Sequence, residues 1–327
     1  MNRWKIGTTV ALVAGVLLTV GIVLYVGAGG LATAVAAIGW GGFLLYALYS
    51  VLVFIPLGLA WWAVAPGIPL ARAGDFVWGR LMRESASDVL PFSTVGGLVV
   101  GVRCVGQRGV GEALVVGSLI VDLTTEMAAQ LLYTLFGVAM LAAALSHLSG
   151  AKSVFLTTGV SVLAGGAVLT GFVLLQSKSV DFLGMMAARW IKDTRTRTDA
   201  IRGVLADVYA RPERLLAGFA LHAFSWVASG VGSWIALNLL GAHMPLWQVL
   251  TLESLMSAVK SVAFMTPGGL GFQEGAYVLV APLFGLSAET ALALSLLKRA
   301  KDIAIGAPAL LLWQAIEGRK LVAGAER

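Results

Sequence analysis

Charge is scarce in this chain of 327 residues. Asp, Glu, Lys and Arg make up 12% of it, against about 25% in an ordinary soluble domain. Cysteine is scarcer still. The single Cys104 excludes an internal disulfide and a cysteine metal cage. The three histidines, His147, His222 and His243, are scattered, and no His-Glu-x-x-His array occurs. The sequence has no P-loop and no Asp-Asp-x-x-Asp cluster of prenyl-diphosphate chemistry. These gaps leave no expected metal, no cofactor and no recognisable catalytic motif. The net charge of +6 does not point to nucleic acid, because the basic residues sit in loops beside apolar runs.

Apolar residues fill the space that charge leaves. They are 58% of the chain, with 40 glycines, a composition suited to close-packed helices in lipid. The fold expected is an all-α polytopic membrane protein. Six runs, roughly 6–27, 40–64, 112–145, 154–175, 214–240 and 289–314, are long enough to cross a ~30 Å core at about 1.5 Å per residue. The first follows Arg3 and Lys5 but exceeds the 7–15 residues or so of a signal-peptide core, and reads as an uncleaved helix. The third is too long for one crossing unless it starts outside the core or kinks.

Basic residues cluster at the N-terminus, in 66–111, in 176–213 and at the C-terminus, while 28–39 and 241–247 carry no charge. Six spans with both termini cytoplasmic put every cluster on one side, as the positive-inside bias requires. The expected location is the bacterial inner membrane. Two apolar regions remain, about 75–109 and about 247–286. Each breaks at a Gly-Gly-Leu and must return to the side it entered, so both are expected to be re-entrant helical hairpins. The result is an inverted repeat of two units, 1–150 and 151–327. Thr94-Val95-Gly96-Gly97-Leu98 resembles Thr266-Pro267-Gly268-Gly269-Leu270, and Glu84 and Glu253 precede them. Gly109 aligns with Gly285, and Asp122 and Glu126 with Lys298 and Asp302. The loop 177–213 mixes basic and apolar residues and reads either as an amphipathic surface helix or as a solvated connector.

The centre of the pattern is Pro267, Gly268, Gly269 and Gly271, with Glu274 just beyond. Proline and paired glycines break a helix, and broken backbone at membrane depth is tolerated only where protein or a polar cavity covers it. Glu274 either faces that cavity or ties down amides at a half-helix start. Arg103 holds the comparable place in the first unit, as an anion-attracting group or a plain loop charge. Ionisable residues inside spans are functional candidates: Asp122 and Glu126 four apart, and Lys298, Arg299 and Asp302 on the last helix. The expectation is that Asp122 and Glu126 meet Lys298 and Arg299 across the repeat, as a functional or purely structural network. Asn238 and His222 are expected to make ordinary interhelical hydrogen bonds.

Pro267-Gly268-Gly269-Leu270-Gly271 with Glu274, then Gly285-Leu286-Ser287 and Lys298-Arg299-x-x-Asp302, resembles the flippase-like membrane region of lysylphosphatidylglycerol synthases. The resemblance covers nearly the whole chain but no aminoacyl-transferase domain. Val121-Asp122-Leu123-Thr124-Thr125-Glu126 and the overall length are closest to the stand-alone hopanoid-biosynthesis-associated members. The resemblance implies a lipid-binding or lipid-flipping protein with membrane lipid, a hopanoid or a phospholipid, as partner. It departs from the family in having Lys298 before Arg299 where a glutamate is usual, and in lacking an arginine beside Asp122 and Glu126. Two other readings stand beside it: a scaffold for lipid-synthesis enzymes docking on the basic loop, and a lipid-modifying enzyme using Glu274 or Asp302.

Overall fold

A computed structural model describes residues 28–89, 93–145, 194–262 and 272–323. The expected first and fourth spans, the Pro267–Gly271 break and residues 177–193 of the basic loop lie outside the described residues. Within them the secondary structure is helical. The helices are α1 (Ala28–Ala63), α2 (Ala73–Val89), α3 (Ser93–Gly106), α4 (Glu112–Leu145), α5 (Thr194–Tyr209), α6 (Pro212–Leu239), α7 (Leu246–Val262), α8 (Phe272–Val280) and α9 (Ala288–Ala323). Short 3₁₀ turns cover Leu70–Arg72 and Ala281–Phe284.

Three segments, Ala32–Ala63, Glu112–Ala143 and Pro212–Leu239, are long and apolar enough to cross a membrane. The expected spans at 40–64, 112–145 and 214–240 fall on these helices. α1 differs in starting at Ala28, inside the stretch read as an uncharged loop, and it breaks at Gly39 (φ 69°). The long third run is one continuous helix of 34 residues. The last helix runs for 36 residues, past the expected end at 314. It interrupts its apolar pattern with Lys298, Arg299, Lys301 and Asp302. Leu44, Leu48, Leu52 and Ile55 make an exposed stripe along α1. At spacings of three and four they share a helix face, and an apolar face of that length belongs against lipid.

Sequence signals mark the helix starts. α6 opens with Pro212, whose missing amide costs nothing in a first turn, and has Glu213 at the positive end of the helix. At the start of α9, Ser287 Oγ accepts the Thr290 amide hydrogen at 3.2 Å, a capping contact. The hairpin regions contain only short helices. At 17 residues each, α2 and α7 reach about 26 Å, and the 14-residue α3 about 21 Å, less than the ~30 Å core.

Two apolar cores flank the centre. One gathers Trp61, Phe76, Val105, Val115, Leu119 and Val208. There the Trp61 and Phe76 rings meet edge-on at 5.5 Å, and Trp61 Nε1 donates to Ser118 Oγ. The other gathers Leu237, Val249, Leu252, Met256, Tyr277 and Leu294. α1 packs along α6. α2 packs on α1 and α3, and α7 on α6 and α8. Each long helix also reaches across: α4 packs on α6 and α7, and α9 on α1 and α2. α5 lies against α4 and α6.

Candidate functional site

A cavity of about 400 Å³ opens between the two cores, bounded by α1, α2, α4, α6, α7, α8 and α9. Its walls carry polar and charged side chains beside apolar ones. Tyr46 and Tyr49 come from α1, Arg80, Arg83, Glu84 and Asp88 from α2, and Glu126 and Tyr133 from α4. Ser233 comes from α6, Glu253 from α7 and Tyr277 from α8. Lys298, Arg299, Lys301 and Asp302 come from α9. Buried charges in an apolar bundle require partners, and two networks supply them.

The first network joins α2, α4 and α6. Arg80 Nη1 donates to Asp122 Oδ2 at 3.3 Å and to Glu126 Oε2 at 2.9 Å. Arg83 donates to the same two carboxylates at 3.1 and 2.8 Å. Glu84 stands 3.0 Å from Arg80. His222 Nε2 lies 2.9 Å from Asp122 Oδ1, and both side chains are fully buried. The arginines are buried because the helix facing them carries two carboxylates one turn apart, and planar guanidinium groups can bridge such a pair.

The second network joins α6, α7, α8 and α9. Lys298 Nζ donates to Glu253, to Tyr277 Oη at 2.8 Å and to Ser233 Oγ at 3.1 Å. The Tyr277 hydroxyl donates to Glu253. Nearby, Arg299 lies 3.6 Å from Glu274, and Lys301 pairs with Asp302.

Of the predicted site residues, Glu126, Lys298, Arg299 and Asp302 line the cavity. Asp122 and Glu274 stand behind it through Arg80, Arg83 and Arg299. Arg103 is exposed on α3 and is not among the lining residues. Pro267, Gly268, Gly269 and Gly271 lie outside the described residues. One expectation is overturned. Asp122 and Glu126 pair with Arg80 and Arg83, not with Lys298 and Arg299, and Lys298 pairs with Glu253. α2 therefore supplies the arginines that Asp122 and Glu126 lack as sequence neighbours. His222 makes the interhelical hydrogen bond expected of it, to Asp122 on α4, whereas the contacts of Asn238 stay within α6 and the turn that follows it. Asn238 Nδ2 donates to the Trp234 carbonyl, and its Oδ1 lies 2.9 Å from His243 Nδ1.

Arg80, Arg83, Glu253 and Tyr277 had no place in the sequence-derived site. Arg80 and Arg83 read as loop charges of the positive-inside kind. A signal did exist: Phe76, Gly79, Met82, Ala86 and Val89 recur at helical spacing around them, and all are buried. Asp122, Glu126 and His222 bring one ligand atom each to within 4.8 Å of one another, a spacing that suits a metal ion. The arginines already hold Asp122 Oδ2 and both Glu126 oxygens, and His222 lies against Asp122 Oδ1, so this donor set fits guanidinium groups and does not fit a divalent cation.

A family model described as the lysylphosphatidylglycerol synthase TM region matches residues 12–307. No curated protein and no solved structure gives a match. With its apolar helices, the chain is an integral membrane protein, and it belongs to the family of the lysylphosphatidylglycerol synthase transmembrane region.

Proposed function

We propose that this protein binds membrane lipid and moves it between leaflets, with the headgroup in the central cavity and the apolar body in the surrounding lipid. The observation that carries the reading is a cavity of about 400 Å³ with charged walls inside an apolar helical bundle. Its volume falls within the roughly 300–1,000 Å³ of small-molecule sites, which suits a headgroup and not a whole lipid. The family association with lipid supports the substrate class. Within that class the proposed link is to hopanoids, whose polyol or amine headgroups suit walls of tyrosine and carboxylate. The proposed location is the bacterial inner membrane with cytoplasmic termini.

The architecture proposed for this task is six spans with two re-entrant hairpins, in inverted repeat units 1–150 and 151–327. One offset, 176 positions, carries the end of α1 at Ala63 to the end of α6 at Leu239, and the start of α4 at Glu112 to the start of α9 at Ala288. The same offset carries Gly109 to Gly285, which have φ of 82° and 77°, a left-handed conformation that glycine adopts without strain. Exchanging α1, α2, α3 and α4 with α6, α7, α8 and α9 turns each packing contact described above among these eight helices into another of them. The charge pattern follows with its signs reversed. In the first unit the short helix carries the cations and the long helix the anions; in the second the short helix carries Glu253 and the long helix Lys298.

The test is transbilayer movement of labelled phospholipid and hopanoid in proteoliposomes, for wild type, Glu274→Gln and Asp302→Asn. Movement of one lipid class that falls in both variants is the expected result. No movement of any lipid by folded wild-type protein would sink the translocation reading and leave a scaffold for lipid-synthesis enzymes in its place.

A further inference from the structure

The network on α2, α4 and α6 holds more carboxylates than permanent cations. Arg80 and Arg83 face Glu84, Asp122 and Glu126. His222 sets the balance. Its ring is fully buried, with Nε2 at 2.9 Å from Asp122 Oδ1, while Nδ1 has no hydrogen-bond partner among the described residues. A buried imidazolium needs an acceptor for each of its two N–H groups, and an unmatched buried donor is costly. The arrangement therefore suits the neutral ring, with Nε2–H donating to Asp122 and a bare lone pair on Nδ1. With His222 neutral, the network is one negative charge in surplus.

Among the described residues, nothing packed around it supplies the missing cation. Across the cavity Lys298 faces Glu253, Arg299 faces Glu274, and Lys301 lies among Asp302, Asp88 and Tyr46. α1 and α4 otherwise add the phenols of Tyr49 and Tyr133. α3 adds Arg103, which is exposed. A surplus charge in a low-dielectric wall is relieved by taking up a positive ion. A metal is disfavoured because guanidinium groups hold the carboxylate oxygens. A proton needs one lone pair only, and the half-buried Glu84 carboxylate, which lines the cavity, offers one without creating a fully buried unmatched donor.

We propose that the Arg80–Arg83–Glu84–Asp122–Glu126–His222 network binds one exchangeable proton, and that this proton couples headgroup movement through the cavity to a pH difference across the membrane. Uptake adds one H⁺ and takes the network from one negative charge to none; no bond to the lipid forms or breaks. Arg80, Arg83, Glu84 and Glu126 themselves line the cavity, so a headgroup there meets a wall that differs by one charge between the two states. The proton site stands on the network geometry alone, whereas the coupling rests on the translocation reading above.

Two measurements on the full chain test this. The first is potentiometric titration in detergent over the range in which histidine changes charge, about pH 8 to 5, for wild type and Glu84→Gln. The variant lacks the surplus carboxylate, so wild type is expected to take up one proton more; equal uptake overturns the site. The second needs only wild type for its primary result: lipid movement in proteoliposomes with and without a gradient of one pH unit. A coupled proton changes the rate by up to about tenfold, and the ratio falls to about one in Glu84→Gln. If lipid moves in wild type but the gradient changes nothing, coupling is overturned and translocation stands. If no lipid moves, translocation and coupling both fall, and the titration still decides the proton site.

Discussion

Replacing Lys298 with methionine removes the charged partner, among the described residues, of a carboxylate that the fold has buried. Glu253 and Lys298 are each 8% exposed. Lys298 also holds Ser233 and Tyr277, and its ammonium sits 5.4 Å from the centre of the Tyr277 ring. In Lys298→Met, Glu253 keeps only the hydroxyls of Tyr277 and Ser233 as donors in this network. Breaking a buried pair from one side costs about 3–5 kcal/mol, because the remaining charge stays buried without compensation. Removing both charges avoids that penalty, and such replacements are neutral or stabilising by about 1–4 kcal/mol. The double variant Lys298→Met/Glu253→Gln should therefore be more stable than Lys298→Met alone, although it carries one more substitution. Unfolding in detergent, followed by tryptophan fluorescence and by a second probe to check for a single transition, measures the difference. The reasoning fails if Lys298→Met loses less than about 1 kcal/mol, or if the double variant is as unstable as the single one.

The remaining predictions concern packing and the first network. A methyl group on Gly97 would sit 2.0 Å from Ser87 Oγ and 2.5 Å from the Arg83 carbonyl. Gly97→Ala should therefore cost about 1–3 kcal/mol by overpacking. Gly96→Ala meets nothing within 4 Å and should be tolerated; equal thermal stability of the two variants would refute the assigned contact between α2 and α3. Gly137→Ala would place its methyl 1.7 Å from Ser254 Oγ, where α4 crosses α7. Its loss of stability should be partly recovered in Gly137→Ala/Ser254→Gly, and thermal unfolding of the pair would show whether the two positions are coupled. Asp122→Asn gives up charge-assisted hydrogen bonds to both arginines but leaves them balanced by Glu84 and Glu126, so it should destabilise by about 1–3 kcal/mol. Asp302→Asn changes a carboxylate that is only partly buried and should cost less in the same unfolding measurement.

What was legible in the sequence follows from which quantities depend on one helix alone. Length and apolarity do, so α4 and α6 could be bounded to within about two residues of their observed ends. The cost of a charge inside an apolar run does as well, which brought out Asp122, Glu126, Lys298, Arg299 and Asp302. Partnership depends on two helices and was not legible. Arg80 and Arg83 lie on a short helix whose charged and apolar residues are mixed, and by composition alone a buried arginine on such a helix matches a loop arginine. The mistaken pairing of Asp122 with Lys298 has a more specific cause. The offset of 176 carries one of these residues to the other, but an offset between repeats equates positions; it does not name partners. Under the proposed two-fold relation, equivalent residues meet only where they approach the axis. Elsewhere each finds its counter-charge on the helices packed around it, as Asp122 does on α2 and Lys298 on α7. Equivalent positions are then free to carry opposite signs, provided that the short helix facing each one changes sign with it.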